Sequence, residues 1–106
     1  MSALGMAGMA RRAGRLIYGM DSVENNAARA RLILLSRDAG KAVVRNVAHI
    51  TEGKGIPVLR LPESSEELGH AIGVSVCAVA AITDAGMARA ILAKNPPETP
   101  PEGGTL

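Results

Sequence analysis

The sequence predicts an α/β fold in which helices cover both faces of one sheet, a three-layer α/β/α sandwich. Segments with strand patterning alternate with segments of helical spacing up to about residue 94. Two runs, residues 32–35 and 76–82, are apolar at every position, as in strands buried between two helical layers. A length of 106 residues supports one modest core, so we expect one domain.

Short polar signals mark the first helices and the first strand. Ser2 is placed to cap a first helix that ends near Gly14, and residues 16–18 follow as a short strand. Asp21 is predicted to be the N-cap of the second helix, because Glu24 occupies the capping-box position three residues later.

The middle of the chain reads as strand, helix, strand. The apolar run 32–35 is the central strand, and Asp38 is predicted to cap the third helix. Residues 56–61 form the third strand, and Pro57 near its start favours an edge position. The buried face of the third helix is predicted from four apolar residues at helical spacing: Ala39, Val43, Val47 and Ile50.

The last elements have equally local signals. Ser64 and Glu67 form a capping box that opens the fourth helix. Residues 76–82 are the last strand, and Thr83 or Asp84 caps a final helix. Between the fourth helix and this strand we expect an exposed apolar loop at residues 71–75, and such a surface usually marks a docking site.

Residues 1–94 are predicted to form the single domain, and residues 95–106 a disordered tail. The tail carries four of the six prolines and has no apolar periodicity. No apolar run approaches the roughly 18 residues that a membrane-spanning helix needs. Basic residues follow the first apolar segment instead of preceding it, which is not a secretory pattern. We therefore expect a cytoplasmic protein with no membrane partner.

Composition and motifs argue against an enzyme. The chain lacks a phosphate-loop pattern and any Cys/His set with metal-ligand spacing, so no metal, cofactor or small-molecule substrate is expected. Cys77 lies in the most apolar run, where a thiol behaves as an inert hydrophobe. With one aromatic residue, Tyr18, the chain has no aromatic platform for stacking several bases.

Charge is distributed unevenly along the chain. Residues 1–60 hold ten Lys and Arg against four acids, and residues 61–106 hold two against six. This asymmetry suits a basic face toward an anionic partner, or it is only a solvated surface.

Five segments, taken in order, resemble the kink-turn-binding ribosomal protein family, in particular its bacterial YlxQ- and YbxF-like branch. The resemblance covers residues 2–94, and the segments that carry it are residues 4–16, 32–39, 55–58, 67–73 and 81–88. It implies a four-stranded mixed sheet and no catalytic activity.

The resemblance also implies how RNA would be bound. In the family the start of the second helix enters the RNA major groove at tandem sheared G·A pairs, and the apolar loop covers an extruded base. Arg37 and Lys41, at the start of the third helix, are candidates for phosphate contacts. The expected RNA-binding residues are Gly19, Met20, Asp21, Ser22, Asn25, Asn26, Arg37, Lys41, Ile72, Gly73, Val74 and Ser75.

The recognition motif itself departs from the family pattern Gly-x-Asn-Glu-x-x-Lys. At the matching positions Gly19 is retained, whereas Asp21, Ser22 and Asn25 replace the amide, the carboxylate and the cation. Two hypotheses follow. The first is a non-enzymatic, ribosome-associated protein that binds structured RNA. The second is a protein-interaction module that keeps the fold, has lost RNA, and binds a protein partner through the apolar loop.

Overall fold

The computed structural model describes residues 2–95 as a three-layer α/β/α sandwich, which confirms the predicted fold class. A single 3₁₀ turn at Ala27–Arg29 connects the second helix to the second strand. In chain order the elements are α1 (Ala3–Arg12), β1 (Leu16–Tyr18), α2 (Met20–Asn25), β2 (Leu32–Leu35), α3 (Lys41–Thr51), β3 (Val58–Arg60), α4 (Ser65–Ile72), β4 (Val79–Ile82) and α5 (Ala85–Lys94).

The four strands form one mixed sheet in the order β1-β4-β2-β3. β2 and β3 run parallel, while β4 is antiparallel to both β1 and β2. β3 is an edge strand, as Pro57 predicted, and its pairing begins at Val58, one residue after the proline. The strand predicted at residues 56–61 is therefore shorter than expected.

Two separate cores lie on opposite faces of the sheet. Leu32 and Leu34 of β2 face the core formed with α1, α4 and α5, whereas Ile33 and Leu35 face the core formed with α2 and α3. All four side chains are buried, because the strand is covered by helices on both faces. The apolar pattern of residues 32–35 thus predicted the central position of β2 correctly.

Three of the predicted helix caps are present. The Ser2 hydroxyl accepts a hydrogen bond from the Gly5 N–H at 3.0 Å, and the Asp84 carboxylate accepts one from the Met87 N–H at 2.8 Å. Ser64 and Glu67 form the full capping box of α4. Each signal acts within three residues, so the local sequence is sufficient to predict it.

The last strand begins later than predicted. β4 starts at Val79, and residues 76–78 belong to the loop that leads into it. Of the tail predicted at residues 95–106, Asn95 is the C-cap of α5, and residues 96–106 lie outside the described residues, so disorder there stays a prediction. Within residues 2–95, no helix is long and apolar enough to cross a membrane.

Candidate nucleic-acid interface

Four loops meet at one end of the sheet, which we call the upper end. There the carboxyl ends of β1, β2 and β3 adjoin the amino end of β4. The register places Tyr18 opposite Ala80, and Leu35 opposite both Val79 and Arg60. The loops of the upper end are residues 18–21, 36–41, 61–65 and 73–78.

Backbone hydrogen bonds join these loops to one another. The Gly19 N–H donates to the Val79 carbonyl at 3.0 Å, and the Ser36 N–H donates to the Ala78 carbonyl at 2.9 Å. The Cys77 N–H donates to the Ser65 carbonyl at 2.9 Å. The start of α2 and the segment that leads into β4 therefore lie together, although more than fifty residues separate them in sequence.

The start of α2 is built on a glycine turn. Gly19 has a φ of 89°, so the chain leaves β1 and enters the helix at Met20 without a linker. The prediction that Asp21 is the N-cap is wrong, because the cap position is Gly19 and no side chain accepts a hydrogen bond there. Asp21 and Ser22 are instead exposed residues of the first turn, and Met20 is partly buried in the core below α2.

The two asparagines lie at the far end of α2, about 9 Å along a six-residue helix from its start. Asn25 is exposed, and Asn26 is the C-cap. The Asn26 Nδ2 donates to the Ser22 carbonyl at 2.9 Å. Asn26 therefore terminates its own helix, and one of its amide donors is already engaged.

The predicted role of Asp38 as the cap of α3 is also wrong. α3 begins at Lys41 with Gly40 as its N-cap, because two further residues separate Asp38 from the helix. The Asp38 carboxylate accepts hydrogen bonds from the Ser36 hydroxyl at 2.8 Å, the Ser65 N–H at 2.9 Å and the Ser65 hydroxyl at 3.1 Å. These bonds, the Ser36 bond foremost, lower the pKa of Asp38. Asp38 thus tethers the β2–α3 loop to the first residue of α4.

The basic side chains near the upper end differ in whether they already donate hydrogen bonds to the protein. The Arg37 Nη1 donates to the Pro62 carbonyl at 2.8 Å, so this guanidinium helps to hold the 61–65 loop. The Arg60 Nη2 donates to the Ala39 carbonyl at 3.1 Å. Lys41, exposed at the first position of α3, donates no side-chain hydrogen bond within residues 2–95. Of the three, Lys41 is the cation whose side chain is most available to an anionic partner.

The segment predicted as an exposed apolar loop divides into a buried and an exposed part. Ile72 is the last residue of α4 and is 3% exposed, because it packs in the core with α1. Gly73 follows in the left-handed conformation, and Val74 is half-buried. Ser75 is exposed, and Val76, which the sequence placed in a strand, is 58% exposed. The exposed apolar residue of this loop is therefore Val76 and not Ile72.

A close backbone contact holds this loop against α4. A Cβ built on Gly69 would lie 2.7 Å from both the backbone N and the Cα of Val76. Only glycine permits that approach, since real Cβ atoms do not come so near to backbone. The absence of a side chain at position 69 thus fixes where Val76 emerges at the surface.

Sequence reasoning also missed Arg11 and Tyr18. The Arg11 Nη1 donates to the Ile72 carbonyl at 2.8 Å, and its Cζ lies 4.8 Å from the centroid of the Tyr18 ring. Tyr18 is 37% exposed. Its status as the sole aromatic residue, placed directly before Gly19, was the signal that could have identified it. No local pattern pointed to Arg11, because the Ile72 carbonyl that it bonds is 61 residues away.

Basic side chains are present at both ends of the sheet. At the end opposite the upper end, which we call the lower end, the Arg31 N–H donates to the Ile82 carbonyl and the Thr83 N–H donates to the Arg15 carbonyl. Both arginines are exposed. The positive excess of residues 1–60 is therefore not gathered on one face, and charge alone does not locate a binding site.

The described residues offer little for catalysis. Residues 2–95 contain no group of three or more His, Cys, Asp or Glu side chains that could hold a metal ion. Cys77 is buried, which raises the pKa of its thiol, and the Sγ donates to the Val79 carbonyl at 3.2 Å. This thiol is a core residue, as the sequence predicted.

Comparisons with known proteins place the chain beside members of one ribosomal protein family. Residues 2–92 match the Ribosomal protein L7Ae/L30e/S12e/Gadd45 family. The RNA-binding protein YlxQ of Bacillus subtilis (strain 168) is 34% identical over 89 residues, which cover 82% of this chain and 88% of that protein. A protein with unknown function from Bacillus halodurans C has a TM-score of 0.78 at 30% identity, covering 85% of this chain and 92% of that one.

A more distant structure has the same fold. The Giardia lamblia 15.5kD RNA binding protein gives a TM-score of 0.74 at 24% identity, covering 87% of this chain and 82% of that one.

Proposed function

The chain belongs to the ribosomal protein L7Ae/L30e/S12e/Gadd45 family, in its YlxQ-like branch, and we propose that it binds structured, kink-turn-like RNA at the upper end of the sheet. It is a member of a non-enzymatic family of RNA-binding proteins. Association with the ribosome and a cytoplasmic location are part of the same proposal.

One observation carries the proposal. The hydrogen bond from Gly19 to Val79 joins the start of α2 to the first residue of β4, directly after the 73–78 loop. A helix start and an exposed aliphatic side chain at the same end of the sheet suit a kinked RNA, whose groove is open and whose extruded base needs cover. Here the aliphatic contact would come from Val76, with Val74 and Gly73 behind it.

Backbone donors support phosphate binding at the start of α2. No side chain caps the first-turn N–H groups of α2, so they can donate to a phosphate, while the Asp21 carboxylate in the same turn opposes an anion there. Lys41 adds a cation from the neighbouring loop. Such contacts position a protein on RNA without reading its bases. The loss of the amide and the carboxylate at Asp21 and Ser22 therefore weakens base readout more than docking, whereas the loss of the cation at Asn25 removes a phosphate contact.

The test is calorimetric titration with two RNA hairpins. One contains a bulge followed by tandem G·A pairs, and the other has Watson–Crick pairs in place of the G·A pairs. We expect the kinked hairpin to bind about tenfold more tightly, with an affinity that falls steeply as salt rises. Equal affinity for the two hairpins would contradict the proposal of kink-turn recognition. If neither hairpin binds, the proposal of RNA binding is wrong.

A protein-interaction module remains the second candidate, favoured by one specific observation. Val76 is 58% exposed, and an exposed apolar side chain also suits the centre of a protein interface. Asp21, exposed in the first turn of α2, would then meet no phosphate. This function predicts that neither hairpin binds, and that Val76→Asp abolishes capture of a protein partner whose binding depends little on salt.

A further inference from the structure

One arginine side chain contacts the residues that directly precede the two segments of the proposed RNA interface. Arg11 lies in the last turn of α1, on a different element from either segment. Its Nη1 donates to the Ile72 carbonyl at 2.8 Å, and its Cζ lies 4.8 Å from the Tyr18 ring centroid. A planar guanidinium can make both contacts at once, because its N–H groups bond in the plane while the ring lies against its face.

Each of the two partners of Arg11 is the last residue of an element and is followed by a glycine. Ile72 ends α4 and directly precedes Gly73, and Tyr18 ends β1 and directly precedes Gly19. Each glycine has a positive φ, 90° for Gly73 and 89° for Gly19, so the chain turns sharply just after each residue that Arg11 touches. Moving either partner therefore changes where the following segment lies.

We infer that Arg11 is a positioning residue for the proposed RNA interface, holding the 73–76 segment and the start of α2 at a fixed separation. This inference rests on the proposed function. It concerns a residue that lies in neither segment and that acts through Ile72 and Tyr18. A site that binds a folded RNA must hold its segments in a fixed relative position, and flexible loops alone do not fix that position.

Small residues, and not Arg11, account for the packing between α1 and α4. A Cβ built on Gly8 would lie 2.6 Å from the Ala71 carbonyl oxygen, so the two helices are in backbone contact one turn from Arg11. Ala7 and Ala10 are fully buried beside it. Because small residues already join the helices, loss of the Arg11 side chain leaves the fold in place and releases the two segments.

The composition supplies a direct probe of the Arg11–Tyr18 contact. Tyr18 is the one aromatic residue of the chain, so near-ultraviolet circular dichroism and tyrosine fluorescence report on this ring alone. A change in these signals shows that the contact is lost, whereas far-ultraviolet circular dichroism shows whether the helices persist.

The experiment compares three variants of the full chain: Arg11→Met, Arg11→Lys and the matched control Arg12→Met. Arg12 is exposed on the same helix and loses the same charge, but its side chain makes no hydrogen bond within residues 2–95. Each variant is titrated with the kinked hairpin, and its Tyr18 spectrum is recorded without RNA. Amide chemical shifts of Gly19 and Gly73 are measured in parallel.

We expect Arg11→Met to bind the hairpin about tenfold more weakly than Arg12→Met, with an altered Tyr18 spectrum and shifts at both glycines. Arg11→Lys should recover part of the affinity, because an ammonium group can make either contact. If Arg11→Met is too unstable to measure, Tyr18→Leu tests the same link from the other partner and should weaken binding more than Arg12→Met does.

Two results would overturn the inference, and they are distinguishable. If the unaltered protein binds the hairpin and Arg11→Met matches Arg12→Met, the positioning role is wrong and the proposed function stands. If the unaltered protein binds neither hairpin, the proposed function fails and the inference fails with it.

Discussion

The two sides of the upper end are built in different ways. On the side of α4, tertiary contacts fix the backbone: Asp38 accepts two hydrogen bonds from Ser65, Arg11 donates to the Ile72 carbonyl, and Gly69 allows contact with Val76. On the side of α2, the turn at Gly19 is held to β4 by a backbone hydrogen bond, and the helix has no side-chain N-cap.

The contrast teaches which part of the surface is set by packing and which is open to change. On the α4 side, residues packed in the core, such as Ile72, are fixed by tertiary contacts, so substitutions of these buried residues act first on stability. The first turn of α2 is exposed and uncapped, so substitutions there act first on the partner. This accounts for how Asp21 and Ser22, at the positions that the resemblance assigns to RNA recognition, can occur without loss of the fold.

The largest expected effect is the difference in stability between a substitution at Ile72 and one at Val76. Ile72→Ala removes a fully packed side chain from the core and is expected to lower the free energy of unfolding by about 2–5 kcal/mol. Val76→Ala is the control, expected to change stability by less than about 0.5 kcal/mol while weakening binding of the kinked hairpin. Urea denaturation and calorimetry measure the two quantities. Equal destabilisation by both variants would contradict the division of this loop into buried and exposed parts.

Next in size is Gly69→Ala, which tests the close contact on the α4 side. The added Cβ would overlap the Val76 backbone, so we expect a loss of about 1–3 kcal/mol in unfolding free energy and a displaced 73–76 segment. Gly86→Ala, on the exposed first turn of α5, is the control: its Cβ would lie 3.2 Å from the Asp84 carboxylate, a side chain that can shift, so we expect a smaller loss than for Gly69→Ala. A Gly69→Ala protein as stable as the Gly86→Ala protein would show that the loop is not pinned there.

A smaller effect concerns the pH dependence of the Asp38 tether. Because hydrogen bonds lower the pKa of Asp38 in the folded state, its carboxylate favours folding above its unfolded pKa, and that contribution is lost as the pH falls through the lowered folded value. We expect Asp38→Asn to be less stable than the unaltered protein at pH 7, with the difference shrinking below about pH 4.

Thermal unfolding at a series of pH values measures the Asp38 effect. Glu66→Gln is the matched control, since the exposed Glu66 accepts no side-chain hydrogen bond within residues 2–95. Glu67, whose pKa is also lowered by its capping-box bond to Ser64, contributes equally to both proteins. A stability difference that stays constant from pH 7 to pH 3 would rule out a carboxylate tether.

The smallest effect lies on the α2 side. A phosphate at roughly 5 Å from Asp21 would be repelled by about 0.8 kcal/mol in water, so Asp21→Asn should tighten binding of the kinked hairpin about fourfold at low salt. Glu24→Gln, one turn further along α2, is the control and should change affinity less. Unchanged affinity for Asp21→Asn would place the RNA away from the first turn.

Sequence alone was sufficient for the fold because its signals are local or periodic. The apolar runs predicted the buried strands, and Ser2, Ser64 and Asp84 cap helices through partners three residues away. The wrong prediction for Asp38 has a tertiary cause. Asp38 is a residue type that commonly caps helices, but its partner Ser65 is 27 residues away, and no local pattern predicts such a contact.

The candidate site was predicted only in outline for the same reason. The resemblance located the start of α2 and the 71–75 segment, yet it could not tell that Ile72 packs inward and Val76 outward. That division depends on the Gly69 contact, which is tertiary. Arg11 was missed because its bond to Ile72 spans 61 residues.

The most direct test of RNA docking at the upper end is an amide chemical-shift titration of the ¹⁵N-labelled protein with the kinked hairpin. Exposed arginines at the lower end give RNA an alternative basic surface, so the measurement discriminates between the two ends. We expect the amides of Gly19, Ser22, Gly73 and Val76 to shift together while those of Arg15 and Arg31 do not. Shifts centred on Arg15 and Arg31, with Gly19 and Gly73 unmoved, would contradict the account.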